Sequence, residues 1–86
     1  MMVVFEVFLT AGADADNLLT PETRTETGAV LMTLAEAEAV GFAGMPADPE
    51  GRDRRLIAVR KADAKWIHRA LEASEIVGSF RMFDVD

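Results

Sequence analysis

Two segments of this 86-residue chain are apolar on both sides of an extended backbone, and this constrains the fold more than any other feature. In residues 1–9, Val3, Phe5, Val7 and Leu9 point one way, while Met2, Val4, Glu6 and Phe8 point the other. Leu56 and Ala58 likewise alternate with Ile57 and Val59, and this run is bracketed by Arg54, Arg55 and Arg60. Strands with two apolar faces sit inside a sheet and are covered on both sides. Both segments are therefore expected to be central strands.

The period changes after Asp63. Trp66, Ile67, Ala70 and Leu71 recur at helical spacing, and Lys65, His68, Arg69, Glu72 and Glu75 point elsewhere. This predicts a helix over residues 63–74, with Asp63 in its first turn, where a carboxylate meets the positive end of the helix dipole. Gly78 provides a stop or a bulge, and Phe80 and Met82, alternating with Arg81, Phe83 and Val85, form a last strand. An earlier helix is expected at 34–40, because Thr33 and Glu36 have capping-box spacing and Gly41 suits a left-handed helix end. Phe42 to Met45 reads as a short strand, which the turn-rich stretch of Pro46, Asp48, Pro49, Glu50 and Gly51 returns into the Leu56 strand.

Strand, helix, strand, strand, helix, strand is the ferredoxin-like plan, an α+β, two-layer βαββαβ sandwich with its first and third strands innermost. Residues 1–86 then make a single domain. The connection from 10 to 32 fits the plan poorly, because it is long for a compact domain. Thr23, Thr25 and Thr27, alternating with Arg24 and Glu26, suggest an extra edge strand there. A two-layer domain has helices on one sheet face only. Leaving four or five aliphatic side chains of the other face in water would cost roughly 1.5–3 kcal/mol each. The expected remedy is a homodimer packed through the sheet; the alternative is that the long connection folds over that face.

Charge is segregated along the chain. Residues 1–51 set nine carboxylates against Arg24 alone, giving −8, whereas residues 52–69 carry seven basic side chains and two acids, giving +5. The tail from residue 70 carries −3. Such segregation bears on partners rather than on fold. Half of the residues are apolar, which argues for a folded chain despite the net charge of −6. With no cysteine, disulfides and thiolate chemistry are excluded. The apolar start is too short to span a bilayer, and with no export signal apparent the expectation is a cytoplasmic protein without membrane association.

No motif identifies a reaction. The only serines, Ser74 and Ser79, sit in no nucleophile elbow, and the glycines lack phosphate-loop spacing. Asp14, Asp16 and Asn17 resemble the start of a calcium loop but lack its glycine and distal glutamate. His68, the only histidine, stands four residues before Glu72, a spacing shared by acid–base pairs and by ordinary surface pairs on a helix. The residues imply no metal or cofactor and lean away from catalysis.

The basic stretch is the candidate anion or ligand site, comprising Arg60, Lys61, Lys65, His68 and Arg69. Arg52, Arg54 and Arg55 lie roughly 20 Å earlier along the strand and belong to a different place. The bland alternative pairs all these cations with the protein's own carboxylates. Nucleic-acid binding is disfavoured by a pI of 4.6 and by the absence of a glycine–aromatic signature.

Three functional readings follow. The first is a non-enzymatic interaction or regulatory module whose acidic face, formed by Asp14, Asp16, Glu22, Glu26, Glu36 and Glu38, docks on a basic surface of a partner protein. The second, resting on analogy with dimeric α+β barrels, is a small-molecule-binding protein or small enzyme. Its apolar pocket would be lined by Phe5, Phe8, Trp66, Phe80 and Met82, with Arg60 or His68 as the polar contact. The third is an acidic inhibitor that imitates nucleic acid.

Overall fold

The computed structural model describes residues 1–39 and 53–85. They form a small α+β domain. Its four strands are β1 (Met2–Leu9), β2 (Val30–Thr33), β3 (Arg54–Arg60) and β4 (Val77–Val85), joined by helices α1 (Pro21–Thr27), α2 (Leu34–Ala39) and α3 (Ala64–Ala73). Single 3-10 turns at Ala15–Asn17 and Lys61–Asp63 precede α1 and α3. The sheet is antiparallel throughout, in the order β2-β3-β1-β4. The two segments with apolar faces are thus the two inner strands.

One sheet surface, the Phe5 face, carries Val3, Phe5, Val7 and Leu9 of β1 with Ile57 and Val59 of β3. Ala64, Ile67 and Leu71 of α3 cover it, together with Leu18, Leu19 and Ala29 from the long connection. The Glu6 face carries Val4, Leu56, Ala58 and Met32, against which α2 packs Ala37 and Leu34. Val4, Leu56 and Ala58 are at most 5% exposed within the single chain. Of the side chains for which a second copy was expected, Val4, Leu56 and Ala58 are thus out of water, whereas Met2 on the same face, and Val30 beside it, are substantially exposed.

The long connection is structured, and the crossover helix is not the expected one. Thr20 caps α1 by accepting the Thr23 N–H at 3.1 Å, and Pro21 takes the first helical turn, where its missing N–H costs nothing. At the other end Gly28 adopts the left-handed conformation (φ 67°) and returns its N–H to the Arg24 carbonyl at 2.9 Å. Between these caps Thr23, Thr25 and Thr27 are helical, which corrects the reading of an extra strand. β-Branched threonine is a weak helix former, but two of the three satisfy their hydroxyls on the preceding turn: Thr25 Oγ1 donates to Pro21 O at 2.9 Å and Thr27 Oγ1 to Thr23 O at 2.6 Å.

The strand after this helix is Val30–Thr33, and the capping box at Thr33 and Glu36 starts α2 directly behind it. Glu36 N–H donates to Thr33 Oγ1 at 3.1 Å, and Thr33 N–H to Glu36 Oε1 at 3.3 Å. Helix α2 thus follows the second strand instead of preceding it. The strand expected at Phe42–Met45, the turn at 46–51, the helix end at Val40 and Gly41, and Arg52 and Asp86 lie outside the described residues. The bulge expected at Gly78 is present: the β1–β4 register shifts between Phe8 and Leu9, which face Ser79 and Val77.

Candidate functional site

Strand pairing places Glu6 directly opposite Arg81 on β4, with Arg54 one step along the same face of β3. Glu6 is fully buried. Its Oε2 accepts from Arg54 at 3.0 Å and its Oε1 from Arg81 Nε at 2.6 Å. The Arg54 side chain is 7% exposed and that of Arg81 54%. Arg81, half exposed, also stacks over the Phe83 ring at 5.2 Å. From sequence, Glu6 has no role beyond its place on the second face of the first strand. Its role appears only with the register that brings Arg54 and Arg81 beside it.

The expected anion site is divided. Arg60, at the end of β3, contacts Asp63 at 2.7 Å, and Lys61 reaches Asp84 at 4.0 Å. Arg55 lies 3.6 Å from Asp53. Lys65 and Arg69 flank the Trp66 ring, each 5.3 Å from its centroid. His68 points to another side of α3: its Nδ1 is 2.7 Å from Glu72 Oε1, and its ring meets that of Phe80 edge-on at 5.2 Å. Among the described residues, Arg54, Arg55, Arg60, Lys61 and Arg81 are thus matched to the protein's own carboxylates.

The acidic residues behave differently. Asp14 accepts the Asp16 N–H at 3.0 Å and so caps the 3-10 turn, which accounts for this calcium-like stretch. Asp14, Asp16, Glu22 and Glu26 are exposed, and among the described residues none forms an ion pair. Glu36 and Glu38 are also exposed and, among the described residues, without ion pairs, but they belong to α2, which packs on the opposite face of the sheet. The six carboxylates do not share one surface. Four lie together on the 3-10 turn and α1.

The residues offered as a cavity lining are brought together only in part: Phe5, Phe80 and His68 meet, with ring centroids 6.1 Å (Phe5–Phe80), 6.5 Å (Phe5–His68) and 5.2 Å (His68–Phe80) apart. Phe5 and Phe8 face opposite sides of the sheet, and Trp66 and Met82 are 49% and 50% exposed. Trp66 is thus on the outer side of α3, not in the core as its spacing suggested. It forms one wall of a cleft of about 250 Å³ between α1 and α3, completed by Thr23, Glu26, Thr27 and Asp63. Asp63 Oδ2 is itself buried and ion-paired with an Arg60 guanidinium nitrogen 2.7 Å away. A second, shallower depression, lined by Pro21, Glu22, Thr25 and Glu26, adjoins it and shares Glu26. Sequence reading could not see the cleft, because it required knowing that residues 21–27 are helical.

Among the described residues no cluster of histidine and carboxylate side chains could hold a metal ion, and no helix is long and apolar enough to cross a membrane. No protein-family model matches the chain, and a search of curated proteins finds no match.

Proposed function

We propose that the protein is a non-enzymatic interaction module that docks the acidic surface of its 3-10 turn and α1 onto a basic surface of a partner protein. One observation carries this reading: Asp14, Asp16, Glu22 and Glu26 are exposed without counter-ions, while most of the basic residues between positions 53 and 69 are engaged within the chain. Unpaired charge of one sign steers association with the opposite sign and contributes to on-rate and specificity. Arg24 lies among these acids in sequence. It projects away from Glu22 and Glu26, since residues two apart do not share a helix face.

Architecture belongs to the same proposal. The strand order, with the inner strands joined to the outer ones through α1 and α3 on a common face, supports a ferredoxin-like domain. Self-association through the Glu6 face has little left to drive it, so light scattering at micromolar concentration is expected to report a monomer. The test of docking is charge reversal. Replacing Asp14, Asp16, Glu22 and Glu26 by lysine should abolish affinity capture of the native partner, and reversing Glu36 and Glu38 should leave it intact. Unchanged capture by the fourfold variant would refute the reading. An inhibitor imitating nucleic acid would use the same carboxylates, and it is separated by displacement of its partner's bound nucleic acid together with a steep loss of binding with salt.

A further inference from the structure

The outer side of the layer formed by α1 and α3 carries charges of both signs that the chain leaves unmatched. On α1, Glu22 and Glu26 are exposed and form no ion pair among the described residues. On α3, Lys65 and Arg69 are exposed, stand four apart on one ridge, and likewise meet no carboxylate among the described residues. Each rests on the Trp66 ring, 5.3 Å from its centroid. The other charges of these helices lie elsewhere: Glu72 is 2.7 Å from His68, whose ring lies against Phe80 of β4, and Arg24 projects away from Glu22 and Glu26. Glu26 and Trp66 line the same cleft between the helices. An acidic strip and a basic strip thus run side by side, with the half-exposed Trp66 at the seam.

We infer that this helix layer is a weak self-association surface, on which Glu22 and Glu26 of one copy pair with Lys65 and Arg69 of a second. A two-fold axis along the seam lays α1 of each copy over α3 of the other, so that acids meet bases twice. Helices of seven and ten residues span only about 10 and 15 Å, and with about 10 Å between axes the shared patch totals roughly 600 Å². A stable interface buries at least about 1,200 Å², so the dissociation constant is about 1 mM and the chain is a monomer at micromolar concentration. The charge of −6 on each copy opposes the contact little, because exposed charges more than about 8 Å apart are largely screened at physiological salt. The contact goes beyond the docking reading and limits it, since Glu22 and Glu26 cannot serve a partner and a second copy at once. Copies tethered side by side meet at millimolar effective concentration, where each covers the acidic helix of the other.

The experiment is sedimentation equilibrium of the intact chain. Between about 0.05 and about 2 mM the weight-average mass of the wild type should rise by about half from the 9.4 kDa of the monomer. Glu22→Lys with Glu26→Lys, and separately Lys65→Glu with Arg69→Glu, should each keep the chain monomeric throughout, because the facing strips then repel. An equimolar mixture of these two double variants should associate again, at the wild-type midpoint or below it, since each supplies the strip that the other lacks. Both variants stay net negative, four units either side of −6, so overall charge does not drive the mixing. Glu36→Lys with Glu38→Lys, on the opposite face of the sheet, should leave the midpoint unchanged. Far-UV circular dichroism checks that every variant folds.

A wild type that stays monomeric at about 2 mM, a mixture of folded variants that stays monomeric, or loss of association in the Glu36 and Glu38 variant would each overturn the proposal. The two readings fail separately. If the fourfold charge reversal abolishes partner capture while the wild type never dimerises, docking stands and self-association falls. If the mixture dimerises and the fourfold reversal leaves capture intact, self-association stands and docking falls.

Discussion

The two faces of the sheet are closed by different physics. The Phe5 face is dry and apolar, with Ile67 and Leu71 of α3 set into Val3, Phe5, Val7, Ile57 and Val59, all at most 1% exposed. The Glu6 face is apolar where α2 lies on it and also buries a carboxylate between two arginines. Apolar packing is tolerant, since many combinations of similar volume satisfy it. A buried ion cluster is not, because each member is costly to desolvate unless its partners are in place. A one-residue slip of β1 would turn Glu6 into the Phe5 face, away from both arginines and among aliphatic side chains. The charged cluster thus makes the register of β1 against β3 and β4 specific, while the other face supplies most of the driving force.

The strongest way to break this contrast is at Glu6. Glu6→Leu removes the buried carboxylate that Arg54 and Arg81 share, and urea unfolding should show a loss of about 3–5 kcal/mol. Adding Arg54→Met and Arg81→Leu should recover most of it, because an apolar replacement of a whole buried cluster is often neutral or stabilising. If the triple variant is as unstable as the single one, the charges contribute more than register. On the Phe5 face, Ile67→Ala should cost about 3 kcal/mol through lost burial and an unfilled cavity, measured the same way. Arg81→Ala should cost only about 1 kcal/mol, since that guanidinium is half in water and Arg54 still holds Glu6. Thr20→Ala removes the α1 cap and should cost about 0.5–1 kcal/mol, with the loss visible as earlier amide exchange in residues 21–27.

What could be read without coordinates divides along the same line. The inner strands announced themselves through Val3, Phe5, Val7, Ile57 and Val59, since burial on two sides leaves a periodic signal. The capping box at Thr33 and Glu36 was equally readable, because its chemistry is local. Helix α1 was missed although Thr20, Pro21, Glu22 and Gly28 form a start and a stop. The alternating threonines imitate a strand, and the hydroxyl contacts that reconcile them with a helix are invisible in a residue string. The Glu6 cluster and the Trp66 cleft depend on residues 48 to 75 and 36 to 43 positions apart, respectively, and only pairing register and helix placement bring them together.

Among the described residues β4 is the outermost strand on its side, and at nine residues it is the longest strand of the sheet. A long unpartnered backbone of that kind is a template on which a further chain can grow, copy after copy. Here Arg81 and Asp84 put a positive and a negative side chain on opposite surfaces of that template, tethered inward by Glu6 and Lys61. The ion pair that fixes the register of the first strand thus also places a charge on the edge strand, where it disfavours pairing with another chain.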